Sequence, residues 1–118
     1  MSKKIDVKLI RSREKLFKAL SDKTRLEVVE YLRGGERCVC EIIPYVAKAQ
    51  STTSKNLGIL FRAGILEKRE DGKKTLYRIK NADVFRLIRD ADSMVLKDLS
   101  SVSETIEALK KSIGENGA

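Results

Sequence analysis

Two cysteines stand one residue apart, Cys38 and Cys40, and they are the only two in a chain of 118 residues without histidine. Thiolates are soft ligands suited to As(III), Sb(III), Cd(II) or Pb(II). A single intervening residue strains a disulfide between them, and an intracellular chain keeps such thiols reduced. Arg37 directly precedes Cys38, and a helix entrance beside a cation lowers thiol pKa values toward the thiolate. Three uses fit the pair: ligands for a soft ion, a redox or thiol-modification switch, and two small semi-buried residues with no chemistry.

A second set of chemically capable residues follows within a dozen positions. Thr53, Leu57, Leu60 and Phe61 recur at i, i+4, i+7 and i+8, one apolar face of a helix. Gln50, Ser51, Thr52, Ser54, Lys55 and Arg62 fall on or beside the other face. Amides and hydroxyls can reach base edges in a DNA major groove, and Lys and Arg can reach phosphates or guanine. An ordinary amphipathic surface helix has the same pattern. Catalysis lacks its parts: there is no histidine, no phosphate-cradling glycine loop and no nucleophile with an adjacent base.

The charge is uneven. Residues 1–33 hold ten Lys/Arg against five Asp/Glu, residues 50–80 eight against three, and residues 81–118 five against seven, within a net charge of +8. A basic front and a slightly acidic back suit a polyanion met by one face. The length suits a single domain, residues 1–118, burying roughly two thirds of its unfolded surface. No apolar run is long enough to span a membrane, and the first residues lack a signal peptide's apolar core. The expectation is a cytoplasmic protein without a membrane partner.

The elements that position these residues follow from periodicity and punctuation. Leu9, Leu16, Phe17 and Leu20 predict a helix over residues 8–20, and Ser21-Asp22 breaks it and caps the next. A second helix is expected over residues 23–33, presenting Leu26, Val29 and Leu32 and ending at Gly34-Gly35. A short third helix belongs in residues 40–47, starting late near Ile43 or kinked, because Pro44 disfavours helical geometry before it. The polar-faced helix comes next. Ala49 is a poor cap, so Ser51 is expected to take that role and the helix to start late. Gly64 stops it. Residues 65–70 and 75–80 read as a hairpin turning at Asp71-Gly72, with Thr75, Tyr77 and Ile79 on one face and Lys68, Lys73, Lys74 and Arg78 on the other face and tip. From Val84 to Ile113 apolar residues step by three or four, including Val95, Leu99, Val102, Ile106 and Leu109. A continuous helix of this kind is about 48 Å long, and a single small domain cannot cover its stripe. The seam calls for a second copy of the chain; a break near Ser100 is the alternative, since Ser101 to Glu104 can form a capping box.

Helix, helix, short helix, polar-faced helix and basic hairpin is the winged helix-turn-helix order, a mainly α fold with a small β-hairpin. Set in that order, LFKALSDKTRLEVVEYL, RCVCEI, QSTTSKNLGILFRAGIL and EKREDGKKTLYRI resemble the ArsR/SmtB family of metal- and metalloid-responsive repressors over about residues 12–80. The resemblance implies a DNA-binding core and wing at about residues 8–80 and a dimerisation helix at about 81–113. It further implies a homodimer through the terminal helices, with Leu9, Val95, Leu99, Val102, Ile106 and Leu109 at the interface. Two recognition helices would enter successive major grooves of an imperfect palindrome in double-stranded DNA. By position, Gln50, Ser51, Thr52, Ser54, Lys55 and, at the edge, Asn56 would face the DNA, with Lys73, Lys74 and Arg78 on the wing. Lys55 and Asn56 stand where many relatives have histidine, Gly58 replaces a longer residue, and Lys48 and Ala49 depart from the usual pattern.

Cys38 and Cys40 resemble the family's arsenic- and cadmium-sensing site, which implies regulatory As(III), Sb(III) or Cd(II) and no required cofactor. Such sites use at least one further thiolate, and position 43, where some relatives have it, is Ile43. Water, Glu36, Glu41 or a small thiol would have to complete the set. The family's other site pairs carboxylates with histidines and is excluded by composition, which leaves Asp90, Asp92 and Asp98 as a solvated face. The cysteines are expected to lie off the DNA-facing surface. The alternatives are a winged-helix regulator without a metal response, redox-responsive or constitutive, and a winged-helix protein-interaction module.

Overall fold

The computed structural model describes the backbone of residues 3–117 and the side-chain surroundings of residues 6–114. The chain divides into two units, residues 1–81 and 82–118. In the first, α1 (Lys3–Leu20) starts five residues before the expected position. Asp22 then caps α2 (Lys23–Tyr31), its carboxylate accepting the Arg25 N–H at 3.1 Å. α2 stops short of Arg33 and tightens into a 3-10 turn over Leu32–Gly34, followed by Gly35 at φ 123°, where a side chain would be strained. Its buried residues are Val28 and Val29, while Leu26 is exposed. The expected stripe is shifted because α2 packs against three helices, α1, α3 and α4, and not one.

α3 (Val39–Val46) begins four residues before Ile43 and has Pro44 inside it. The proline does not decide the start because the entrance is closed by a capping box. Cys38, in extended geometry, accepts the Cys40 N–H on its sulfur at 3.0 Å, and the Glu41 carboxylate accepts the Cys38 N–H at 3.1 Å. Cys-x-x-Glu here takes the part usually played by Ser/Thr-x-x-Glu. Ala47, left-handed at φ 55°, turns the chain into α4 (Gln50–Arg62). α4 starts at Gln50 with no side-chain cap from Ala49, so Ser51 does not delay it. Gly64, at φ 79°, supplies the left-handed stop.

β2 (Leu66–Asp71) and β3 (Lys74–Ile79) form the expected hairpin, Asp71 opposite Lys74 and Gly72 left-handed at the tip. An unexpected strand, β1 (Arg37–Cys38), pairs antiparallel with β3, Arg37 opposite Tyr77 and Cys38 opposite Leu76, which puts β3 in the centre. Two residues are too few to show alternation. Tyr77 is buried on the sheet's inner face. Ile42, Leu57, Leu60 and Leu66 are fully buried with Val28 and Val29, each burial contributing roughly 1.5–3 kcal/mol.

Thr53 is fully buried on the inner face of α4, and its hydroxyl has no partner among the described residues. Thr53→Val keeps the branched shape and removes the unpaired group. We expect it to raise unfolding stability by about 1 kcal/mol in urea titration while DNA affinity stays unchanged; a loss of stability would mean the hydroxyl is satisfied.

The second unit contains α5 (Asp83–Gly117), 35 residues without a break at Ser100. Its length is about 52 Å. Val95, Leu99, Val102, Ile106 and Leu109 are all exposed, as is Leu9 in α1 of the first unit.

Candidate nucleic-acid interface

α4 is held by its inner face and leaves its outer face free. Thr53, Leu57 and Leu60 are buried, whereas Gln50, Ser51, Thr52, Ser54 and Lys55 are exposed, as the sequence pattern required. Phe61 is only half covered, with the Lys68 ammonium 4.8 Å from its ring centre. Asn56 is a correction. It is 8 % exposed, its amide nitrogen donates to the Thr52 carbonyl at 3.1 Å, and its Oδ1 accepts from Arg25 Nη1 at 2.9 Å. A side chain so engaged is not offered to DNA, even at the edge of the face.

The same Arg25 donates from Nε to the Ala19 carbonyl at 2.7 Å and from Nη2 to the Lys18 carbonyl at 3.1 Å. One guanidinium therefore satisfies the open end of α1 and ties it to α4. Sequence reading missed this positioning residue. Its only local signal is an Arg three residues after the Asp22 cap, and its partner Asn56 lies 31 residues away.

Lys73, Lys74 and Arg78 of the wing are exposed as expected, but Lys68 is a correction: paired opposite Tyr77, it lies on the face of Thr75 and Tyr77 and not on the other. Nor are the cations equally free. Lys73 and Lys74 are exposed at the tip, with no ion pair to a described residue. Arg78 donates to Glu67 Oε1 at 2.5 Å across the hairpin, so much of its charge is already offset. Arg69 makes a two-pronged pair with Glu36, at 2.9 and 2.8 Å, fastening the wing to the segment that enters β1. That hydrogen-bonded guanidinium holds the Glu36 carboxyl below the usual carboxylate range.

Because β1 pairs with β3, the cysteines come to the foot of the wing. Cys38, Cys40, Gln50, Ser54, Lys68, Lys73 and Lys74 line one open cleft of about 570 Å³. The cysteines were expected to lie apart from the residues read as DNA-facing; they share a cleft with Gln50, Ser54 and the wing lysines. They are also bonded to each other, with Cα atoms 5.0 Å apart, in place of the expected separate thiols. Cys38 is buried and Cys40 exposed.

As ligands for a soft ion, the two sulfurs are right in kind and short in number. The carboxylates that could complete the set are engaged, Glu36 by Arg69 and Glu41 by the Cys38 N–H and, at 3.5 Å, Arg37. No group of three His, Cys, Asp or Glu among the described residues could hold a metal ion. A third donor would have to come from outside them.

The arsR family of bacterial regulatory proteins is matched over residues 22–68. An uncharacterised HTH-type transcriptional regulator of Methanocaldococcus jannaschii is 39% identical over 80 residues, 67% of this chain and 90% of that protein. The arsenical resistance operon repressor of Bacillus subtilis is 34% identical over 83 residues, 70% of this chain and 79% of that one. The homodimeric winged helix-turn-helix DNA-binding domain of a Mycobacterium bovis protein superposes with a TM-score of 0.75 at 30% identity, covering 86% of this chain and 93% of that one. No helix among the described residues is long and apolar enough to cross a membrane. Polar-faced helix, basic wing and these likenesses agree: the chain belongs to the ArsR family of winged helix-turn-helix, DNA-binding transcriptional regulators.

Proposed function

We propose that the protein is a cytoplasmic repressor that binds an imperfect palindromic operator as a homodimer and is released by chemistry at Cys38 and Cys40. The observation that carries this reading is the shared cleft: the cysteine pair, Gln50 and Ser54 of α4, and Lys68, Lys73 and Lys74 of the wing line one space. Whatever changes the charge or bulk of the pair acts beside the groups that would meet DNA. The reduced pair offers two thiolates to As(III), Sb(III) or Cd(II), and the likeness to an arsenical resistance operon repressor supports an ion of that kind. A dithiol–disulfide response is the second reading, favoured by the bond between the two sulfurs. The homodimer is supported by the open apolar face of α5 and by the Mycobacterium bovis domain, itself homodimeric.

The test is binding to the protein's own promoter DNA under reducing conditions, with and without As(III), Sb(III) and Cd(II), and separately with oxidant. Release by an ion, lost in both Cys38→Ser and Cys40→Ser, supports the ion reading; release by oxidant alone supports the redox reading. Absence of salt-dependent DNA binding would favour a protein-interaction module. On the recognition helix, Gln50→Ala or Ser54→Ala is expected to cost about 1–3 kcal/mol on the operator and much less on random DNA. Equal losses on both would show that this face does not read bases.

A further inference from the structure

We propose that the Cys38–Cys40 bond is a thiol-exchange site at which a small anionic thiol becomes attached to Cys40. Its effect on DNA rests on the reading that the cleft meets DNA; the modification itself does not. Three features of the pair point the same way. Cys40 is exposed and Cys38 is 5 % exposed, so an incoming thiolate reaches the Cys40 sulfur. Cys38 is the N-cap of α3 and its sulfur accepts the Cys40 N–H at 3.0 Å. A sulfur at a helix N-terminus is stabilised as thiolate, and the more stable thiolate leaves faster. The burial of Cys38 and the Glu41 carboxylate bonded to its N–H oppose this, but the carboxylate's charge is offset by Arg37 at 3.5 Å and the Cys40 N–H stays directed at the sulfur.

The third feature is the cleft, where Lys68, Lys73 and Lys74 face a single carboxylate, Glu70, which accepts the Thr75 hydroxyl. Such a lining gathers anions and repels cations. The step balances: the thiolate RS⁻ attacks Cys40, the Cys40–Cys38 bond breaks, a Cys40–SR bond forms, and the negative charge passes to Cys38. No electrons are gained or lost overall. The attached group's carboxylates then sit among the wing lysines and occupy space beside Gln50 and Ser54. DNA phosphates would compete for the same cations.

The full-length disulfide form is treated with reduced glutathione, an anionic thiol, or with cysteamine, a cationic one, then acid-quenched and mapped by mass spectrometry. Each rate is normalised to that thiol's rate with a small neutral disulfide. Glutathione is expected to add once, on Cys40, and several-fold faster than cysteamine at low salt, the preference fading at high salt as the charges are screened. Lys73→Gln with Lys74→Gln should remove most of that preference. For DNA binding, the Cys38→Ser variant, which retains a capping side chain, is converted to a stable Cys40 adduct with glutathione disulfide or with cystamine. The glutathione adduct should bind duplex DNA about tenfold more weakly than unmodified variant, and the cysteamine adduct within about twofold of it. Attachment at Cys38, no adduct, equal normalised rates, or full DNA affinity in the glutathione adduct would overturn the proposal. Failure of unmodified protein to bind any duplex would instead sink the DNA reading, with the site and rate of attachment still deciding this one.

Discussion

Val102→Glu is expected to leave the protein monomeric at micromolar concentration and to abolish tight operator binding. Val95, Leu99, Val102, Ile106 and Leu109 are spaced by four, three, four and three residues along α5, the heptad spacing of helices that pack on a second copy. Each remains 45–58 % exposed in the isolated chain. If a second chain covers this seam, a carboxylate at its centre is buried without a partner, which costs several kcal/mol or forces the chains apart. Loss of the dimer splits one two-site attachment into two weak ones, so operator affinity falls by orders of magnitude. Lys97→Glu, off the seam on the same helix, should leave assembly intact. Sedimentation velocity gives the answer directly: a monomeric wild-type protein, or a dimeric Val102→Glu protein, would rule the α5 seam out.

Lys73→Ala combined with Lys74→Ala is expected to weaken operator and unrelated DNA alike. Each lysine that touches a phosphate releases condensed counterions, so the slope of log affinity against log salt should fall by about 0.9 for every phosphate left without its lysine. In a dimer the double change removes four cations, and the affinity lost at low salt should exceed that from any single change on α4. Arg78→Ala should do less, because Glu67 already holds that guanidinium at 2.5 Å and the free glutamate left behind is solvated. Fluorescence anisotropy over a salt series separates the cases. An unchanged slope would place the two lysines away from the backbone.

The sequence by itself determined the order of the five helices, the outer face of α4 and the hairpin, because their causes are local. A 3.6-residue apolar period, Asp22 before a helix, Gly64 after one and Asp71-Gly72 between alternating residues act within a few positions. Even the early start of α3 was locally encoded, in Cys38 and Glu41, although a thiol in the capping position hides the signal.

What only the tertiary structure decided depends on residues far apart in the chain. The buried face of α2 was set by α1, α3 and α4 packing on it, which covered Val28 and left Leu26 exposed. Asn56 reads as an edge residue of a polar face until Arg25, 31 positions earlier, draws it inward. The largest difference concerns the cysteines. Their spacing announces soft-ligand or redox chemistry, but their place beside Gln50, Ser54 and the wing lysines comes from two residues of β1 pairing with β3. A strand that short carries no period of its own, and its partner, 38 positions along from Cys38 at Leu76, is chosen by the hydrogen bonds that unpaired backbone groups must find.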